Sequence, residues 1–299
     1  AFNNDGKFVV IPGYEWSGNT GLGGDRNIYF PDIGRVLRRS SHALVSDHSD
    51  IDTDCNSATE LFEAFADNNE SDVVVYAHCG GRYADIELAH DGRFEKAVEI
   101  HSSWGTFEWI LSDAFEEGYR VGIVGNSDGH KGRPGASYPG SSLFGAIGGL
   151  TCFLSENLSR EGIIDTINKR HHYATSGGPT GRMFIDLKAN FTSDGLVFHD
   201  DPKLFDTKGR SSKEAMMGDI VKLPNGEMSL NINVSTAVAI ERLDIFNGSE
   251  LIETFKPFSE RDLNNRIRVI WEGAEYLSLI HISEPTRPRL ISYAVFCLK

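Results

Sequence analysis

The chain has 299 residues, 40% apolar and 10% aromatic, enough to build a sizeable core and too hydrophobic for a disordered polymer. Its 43 acidic and 29 basic side chains leave a net charge of −14, which argues against nucleic acid or an anionic membrane as partner, because phosphate binding rests on clustered Lys and Arg. No apolar run reaches the roughly 18 residues of a membrane helix, and Cys55, Cys79, Cys152 and Cys297 show no CxxC spacing, so neither a disulfide framework nor a zinc ribbon is indicated.

Ala1 is not a methionine, and the first residues drop at once into a strand-like run, so the sequence is expected to begin inside a longer protein and is silent on compartment. Strand-like and helix-like stretches then alternate. "KFVVIPGYEWS" leads to Glu15, "DVVVYAHCGG" to His78, "KAVEIHSSW" to His101, and "RVGIVGNSDGH" to Asp128 and His130; "GGLTCFLSE" closes the set. Between them "SATELFEAFADN", "TFEWILSDAFEEG" and "SREGIIDTINKRH" carry apolar residues at helical spacing. Ser57 with Glu60 forms a capping box, and Ser159 caps the third helix. Buried strands alternating with helices predict βαβ units and a parallel sheet or barrel over residues 1–178.

"TSGGPTG", ending at Gly181, reads as a linker. After it "MFIDLKAN", "EMSLNINVST" and "IERLDIFNGSELIETF" alternate with a two-residue period, and Asn225-Gly226 and Asn247-Gly248 mark hairpin turns. Residues 179–276 are therefore expected to form a small antiparallel β-sandwich-like domain. The last stretch, "LSLIHISEPTRPRLISYAVFCLK" from Leu277, has no amphipathic pattern and resembles the conceptual translation of a sequencing-library adapter. Residues 277–299 are set aside as non-native, which removes Arg287, Arg289 and Lys299 against Glu284 and leaves the remainder more acidic.

Four of the five strand-like runs end in a potential metal ligand: Glu15, His78, His101, and Asp128 with His130. In parallel α/β folds these C-terminal ends face the active site. Carboxylate and imidazole donors without cysteine suit catalytic Mn, Zn or Fe rather than a structural zinc. Asp128 and His130 are two apart, so on an extended strand both would point one way; the same residues also spell an ordinary turn. Arg26, Arg82 and Arg133 flank these motifs and could hold an anionic group, or simply be solvated and ion-paired. "GNTGLGGDRN" is not a dinucleotide loop, since it runs into a strand. "DIDTDCNSATEL" mimics a calcium loop but places Cys55 and Leu61 where glycine and glutamate are needed. His42, His48 and His90 lie in polar segments and read as solvated, His171 and His172 as helix-end residues favoured by the dipole, and Trp104 and Trp109 as packing. No nucleophile elbow or Cys/His pair points to a covalent mechanism.

The ordered set "GYEWS", "YAHCGG", "VEIHS" and "NSDGH" resembles the PHP (polymerase and histidinol phosphatase) superfamily of metal-dependent hydrolases. With "GYEWSGNTGLGGDRNIYF", "HCGGRYAD", "SSWGTFEW", "SDGHKGRPG" and "HHYATSGG", the chain is similar in detail to an uncharacterised bacterial PHP-like group. The resemblance implies a distorted (β/α)7 TIM-like barrel with up to three divalent metal ions. Glu15 would bridge two of them, His78 and His101 would complete the second ion's shell, Asp128 would bind the first and His130 the third. The family's opening His-x-His strand and its Asp-His strand are absent and would lie upstream of Ala1. The expected fold is thus a partial barrel lacking its first strands, followed by the β-rich domain, and the fragment is expected neither to fold properly nor to act alone. The implied function is a phosphoesterase, with Glu15, Asp128 and Arg133 catalytic, Arg26, Arg82 and Arg133 binding a small anionic substrate such as a phosphate ester, and metal-activated water as nucleophile, its pKa lowered from about 15.7 to about 7. Two alternatives are a metal-dependent hydrolase of C–N or C–O bonds and a non-catalytic glycan- or partner-binding protein.

Overall fold

The protein's structure, a computed structural model, describes residues 2–130, 132, 147–176, 182–224, 226–256, 264–272 and 291–292. Arg133, Asn225 and residues 177–181 of the expected linker lie outside the described residues, as does the C-terminal tail apart from Ile291–Ser292.

The first unit is one mixed sheet made of β1 (Gly13–Trp16), β2 (Arg26–Tyr29), β3 (Val74–Ala77), β4 (Glu95–Ser102), β5 (Gly105–Thr106) and β6 (Gly122–Gly125). Its order is β1-β2-β3-β4-β6, with β5 folded back on the end of β4. β2 runs antiparallel to both neighbours, while β3, β4 and β6 are mutually parallel. β1 therefore shares its direction with β3, β4 and β6, and the C-terminal ends of these four strands meet at one edge.

This arrangement overturns the barrel. Among the described residues the chain is mainly β, with three α-helices, several small sheets and no closed barrel. The cause is local: nine residues separate β1 from β2, too few for the crossover of a dozen or more that parallel neighbours need, so the chain returns antiparallel. Gly24, at φ +72°, belongs to this return; a Cβ there would stand 2.0 Å from the Tyr83 carbonyl oxygen. The "GGLTCFLSE" run is not a fifth parallel strand either. It forms β7 (Leu150–Phe153), paired antiparallel with β8 (His172–Thr175) after helix α3. Thr151 and Gly149 tie this pair to the end of β6 through Gly125 and Asn126.

The helices stand where periodicity places them: α1 (Ala58–Asp67), α2 (Trp109–Glu116) and α3 (Arg160–Asn168). Ser57 accepts the Glu60 N–H at 3.2 Å and Ser159 the Gly162 N–H at 3.0 Å, each satisfying an end donor. The Glu60 carboxylate reaches back to the N–H of Asn56, one residue before the cap. Leu61, Phe62 and Phe65 of α1 pack against Trp16, Ile28 and Phe94; Ile110 and Leu111 of α2 pack against Val98 and Ile123. Ile163, Ile164 and Ile167 of α3 cover Tyr76, Ala97 and Val124 on the opposite face. Covering both faces explains why β3 and β6 read as unbroken apolar runs.

The second unit comprises β9 (Met183–Phe198), β10 (Arg210–Met216), β11 (Ile220–Lys222), β12 (Met228–Thr236), β13 (Leu243–Asn247), β14 (Glu250–Phe255), β15 (Arg266–Glu272) and β16 (Ile291–Ser292), all antiparallel. β9 carries β10 on one edge and β12, then β11, on the other. Alternate residues Met228, Leu230, Ile232 and Val234 of β12 face a core that the β13–β14 hairpin covers with Leu243 and Ile245. Gly248, at φ +59°, closes that hairpin as its sequence requires. Tyr173 of β8 belongs to the same core, and its hydroxyl donates to the Met183 carbonyl.

Several polar residues are placed otherwise than their sequence neighbourhoods indicate. Arg26 is fully buried; it pairs with Glu95 at 2.5 Å, donates to the carbonyls of Gly23 and Ala89, and does not reach any surface where substrate could meet it. His90 is not solvated but bonds Glu95 at 2.7 Å. His42 is buried between Asp50 and Asp54. His172 opens β8 in the core, where burial lowers its pKa to about 4, and His171 meets Asp219 rather than a helix end.

A buried ion pair whose partner is removed leaves an uncompensated charge, so Glu95→Ala is expected to cost about 3–5 kcal/mol in denaturant unfolding. A double change to apolar residues, Arg26→Met with Glu95→Leu, should recover much of that loss; a single variant as stable as the parent would show that the pair does not hold β2 to β4.

Candidate metal centre

The edge where four strand ends meet collects the chemistry. On β1, Trp16 turns into the core and donates its indole N–H to the Cys55 carbonyl at 3.1 Å, which leaves Glu15 exposed at the rim. His78 directly follows β3; its backbone N–H donates to the Asp25 carbonyl, and its carbonyl accepts from Ala84, so the residue is clamped from both sides. Asp128 follows β6 by three residues at φ +44°, a left-handed conformation that Asp tolerates better than most side chains. Donor atoms of Glu15, His78 and Asp128 all lie within 4.8 Å of one another.

His78 is 1% exposed, and its two ring nitrogens have separate tasks. Nδ1 is held at 2.7 Å by Glu99 Oε1, and Nε2 faces Asp128 Oδ2 at 3.4 Å. Glu99, itself buried in β4, takes the Asn126 side-chain amide N–H on its other oxygen at 2.6 Å. Two donors bound to one ion at about 2.1 Å and a tetrahedral angle stand about 3.4 Å apart, so the His78–Asp128 spacing suits a shared cation. A carboxylate behind a ligating imidazole fixes its tautomer and raises its basicity. The face in front of Nε2 is kept open by Gly80, where a Cβ would sit 2.7 Å from that nitrogen.

The electrostatics agree with a cation site. Burial opposes charge on His78, yet Asp128 and Glu99 together push its pKa up to about 10. Burial likewise works against an ionised Asp128, but His78, Trp104 and His130 hold its pKa below the ordinary value. Asp25, pressed by burial and by the neighbouring Glu15, is raised to about 6 despite the Arg82 guanidinium, whose Nε donates to it at 3.2 Å. Carboxylates thus outnumber cations around His78, and the imidazole holds a proton that a divalent ion would displace.

The geometry sorts the sequence-based candidates. Donor atoms of Glu15, His78 and Asp128 come together around one point. His130 folds back on Asp128, its Nδ1 2.8 Å from that residue's carbonyl oxygen and 3.2 Å from Oδ1. The extended alternation expected for this pair is absent, because the strand ends at Gly125 and Asp128 turns left-handed. His101 is drawn off: a register shift between Glu99 and His101 breaks the strand's alternation, and its ring bonds Thr106 Oγ1 and the Ile147 carbonyl, both at 2.8 Å. Arg82 stays at the rim with a half-exposed side chain, Arg26 is buried and paired with Glu95, and Arg133 lies outside the described residues.

Four residues here escaped the sequence reading: Asp25, Glu99, Trp104 and Asn126. Trp104 is not packing; it is 39% exposed and donates its indole N–H to Asp128 Oδ2 at 2.5 Å. Glu99 carried a usable signal, a carboxylate in the middle of an apolar strand, which must find partners if buried.

No family model matches the chain, and no solved structure matches it. An uncharacterized protein of Chlamydia pneumoniae is 21% identical over 311 aligned residues, covering 95% of this chain and 43% of that protein. The chain therefore spans less than half the length of this curated relative.

With no metal added, His78 should remain protonated through neutral pH. Its folded pKa lies above the unfolded value, so the stability it contributes is complete below about pH 6.5 and is lost as pH rises through about 10. An NMR titration checks this: a ring resonance that moves near pH 10 and becomes invariant with saturating Zn²⁺ is the expected result, whereas a midpoint near 6.5 without metal would contradict the charge balance described. Gly80→Ala should weaken metal binding by roughly 10–100-fold in calorimetry, the range seen when a ligand's surroundings are disturbed, while the fold persists.

Proposed function

We propose that the protein is a metal-dependent hydrolase and that phosphate esters are its substrate class. The observation that carries this reading is the convergence of Glu15, His78 and Asp128 on one point, with buried Glu99 orienting the imidazole. The resemblance to PHP hydrolases likewise implies metal ligation at these three positions; that family's barrel and three-ion layout form no part of the proposal.

A divalent ion held by Glu15, His78 and Asp128 would supply Lewis acidity toward a phosphoryl oxygen and would acidify water. The chain's own residues do the rest. Glu15 Oε1 accepts from the Ser17 hydroxyl at 3.1 Å, which limits its rotation at the rim. Trp104 holds one oxygen of Asp128, and the Thr151–Asn126–Glu99 chain fixes the His78 ring from behind. Asp25, with a pKa of about 6, exchanges a proton near neutral pH beside Glu15, the property wanted in a general acid or base. Arg82 places a positive charge next to it at the open rim, where an anionic substrate group would arrive.

The full-length protein, purified with Mn²⁺ or Zn²⁺, is expected to release p-nitrophenol from p-nitrophenyl phosphate, to stop when the metal is chelated, and to resume when it is returned. Glu15→Ala and Asp128→Ala should each lower kcat/KM by about 100-fold or more, and Arg82→Ala should act mainly on KM. Hydrolysis indifferent to chelation, or unchanged in both carboxylate variants, would refute the proposal.

A further inference from the structure

We infer that His171, His199 and Asp219 form a second metal site, for Zn²⁺ or a similar borderline divalent ion, that staples the first unit to the β-rich unit. It shares no residue with the centre already described and does not depend on the proposed hydrolase activity. Donor atoms of the three side chains lie within 4.8 Å of one another.

Each residue comes from a different part of the fold. His171 lies between α3 and β8, His199 directly follows β9, and Asp219 stands in the turn between β10 and β11. His171 and Asp219 are 48 positions apart in sequence and belong to the two different units. One carboxylate oxygen, Asp219 Oδ1, faces His171 Nε2 at 2.8 Å and His199 Nδ1 at 3.0 Å. The rings are nearly perpendicular, at 82° with centroids 5.4 Å apart, so their in-plane lone pairs approach the same point from different directions. The other carboxylate oxygen accepts the Met216 N–H at 3.0 Å, which fixes the aspartate from behind.

Two imidazoles and one carboxylate are the protein ligands of an open zinc site, with the remaining position left to water or another donor. Donors in a tetrahedral site stand about 3.4 Å apart, so the cluster must open by about half an ångström. The means to do so is built in: the side chains of Asp219 and His171 are 2% and 9% exposed and fixed, while that of His199 is 42% exposed and can swing. The exposed ring also provides access from solvent. The nearby Arg170 guanidinium spends its donors on the carbonyls of Gly218, Asn168 and His199 and is answered by Asp200 and Asp201, with Asp219 contributing at longer range without a direct ion pair. The bare hydrogen-bonded cluster needs a proton on each nitrogen facing Asp219; the ion would replace both.

The test uses the whole chain carrying Asp128→Ala, which disables the first centre. Calorimetry with Zn²⁺ should show one equivalent bound, Co²⁺ should give the visible bands of a low-symmetry N/O site, and melting should rise by about 5–10 °C at a hundredfold excess over Kd. Adding His199→Ala, a change at a half-exposed ring that leaves the core intact, should abolish all three. A crystal soaked in Zn²⁺ should show anomalous density among His171 Nε2, His199 and Asp219. Absence of binding in the Asp128→Ala protein, or binding that survives His199→Ala, would overturn the inference.

Discussion

The buried carboxylate of Glu99 is the constraint around which the first unit is arranged. A charge in the middle of a covered strand is tolerated only when fully partnered, and Glu99 finds His78 on the strand to one side and Asn126 beyond the strand on the other. These bonds cross β3, β4 and β6 at their C-terminal ends. They lock the register of the sheet edge and aim His78 Nε2 outward, so the groups that satisfy a buried charge also build the candidate centre. Asp128 then completes it from a left-handed turn stabilised by Trp104 and by His78 itself. Strain of this kind, held in place by surrounding contacts, is characteristic of functional positions.

The acidic balance of the chain acquires local meaning in this structure. Carboxylates are gathered where an imidazole can share them: Glu15, Asp25, Glu99 and Asp128 around His78, and Asp219 between His171 and His199. Elsewhere they neutralise buried arginine, as Glu95 does for Arg26. The two metal-type clusters differ in kind. One opens at the sheet edge beside a half-exposed arginine; the other lies at the junction of two units.

Much of the local structure could be read directly. Two of the three helices start next to serines that cap them, the alternation of β12 matches its buried face, and Gly248 takes the positive φ that its hairpin turn needs. Glu15, His78 and Asp128 could be nominated because strands of one direction gather their ends at one edge. The barrel could not be inferred from the same alternation, since "RNIY" makes an antiparallel return strand where a barrel needs a helical crossover. His101 shows the limit of period-two reasoning: one irregularity between Glu99 and His101 turns the ring to Thr106 and Ile147.

What the sequence by itself determined is therefore local and compositional: helix caps, apolar periodicities, hairpin turns, the acidic balance, and the donor types offered at strand ends. These follow from interactions within a few residues, where spacing dictates geometry. Tertiary structure alone decided which donors meet. His171, His199 and Asp219 carry no shared motif, and Asp25 and Glu99 become partners of Glu15 and His78 only when separate strands are laid side by side. Chain direction, strand order and a single register shift set those meetings, and each depends on long-range packing that no short window of sequence contains.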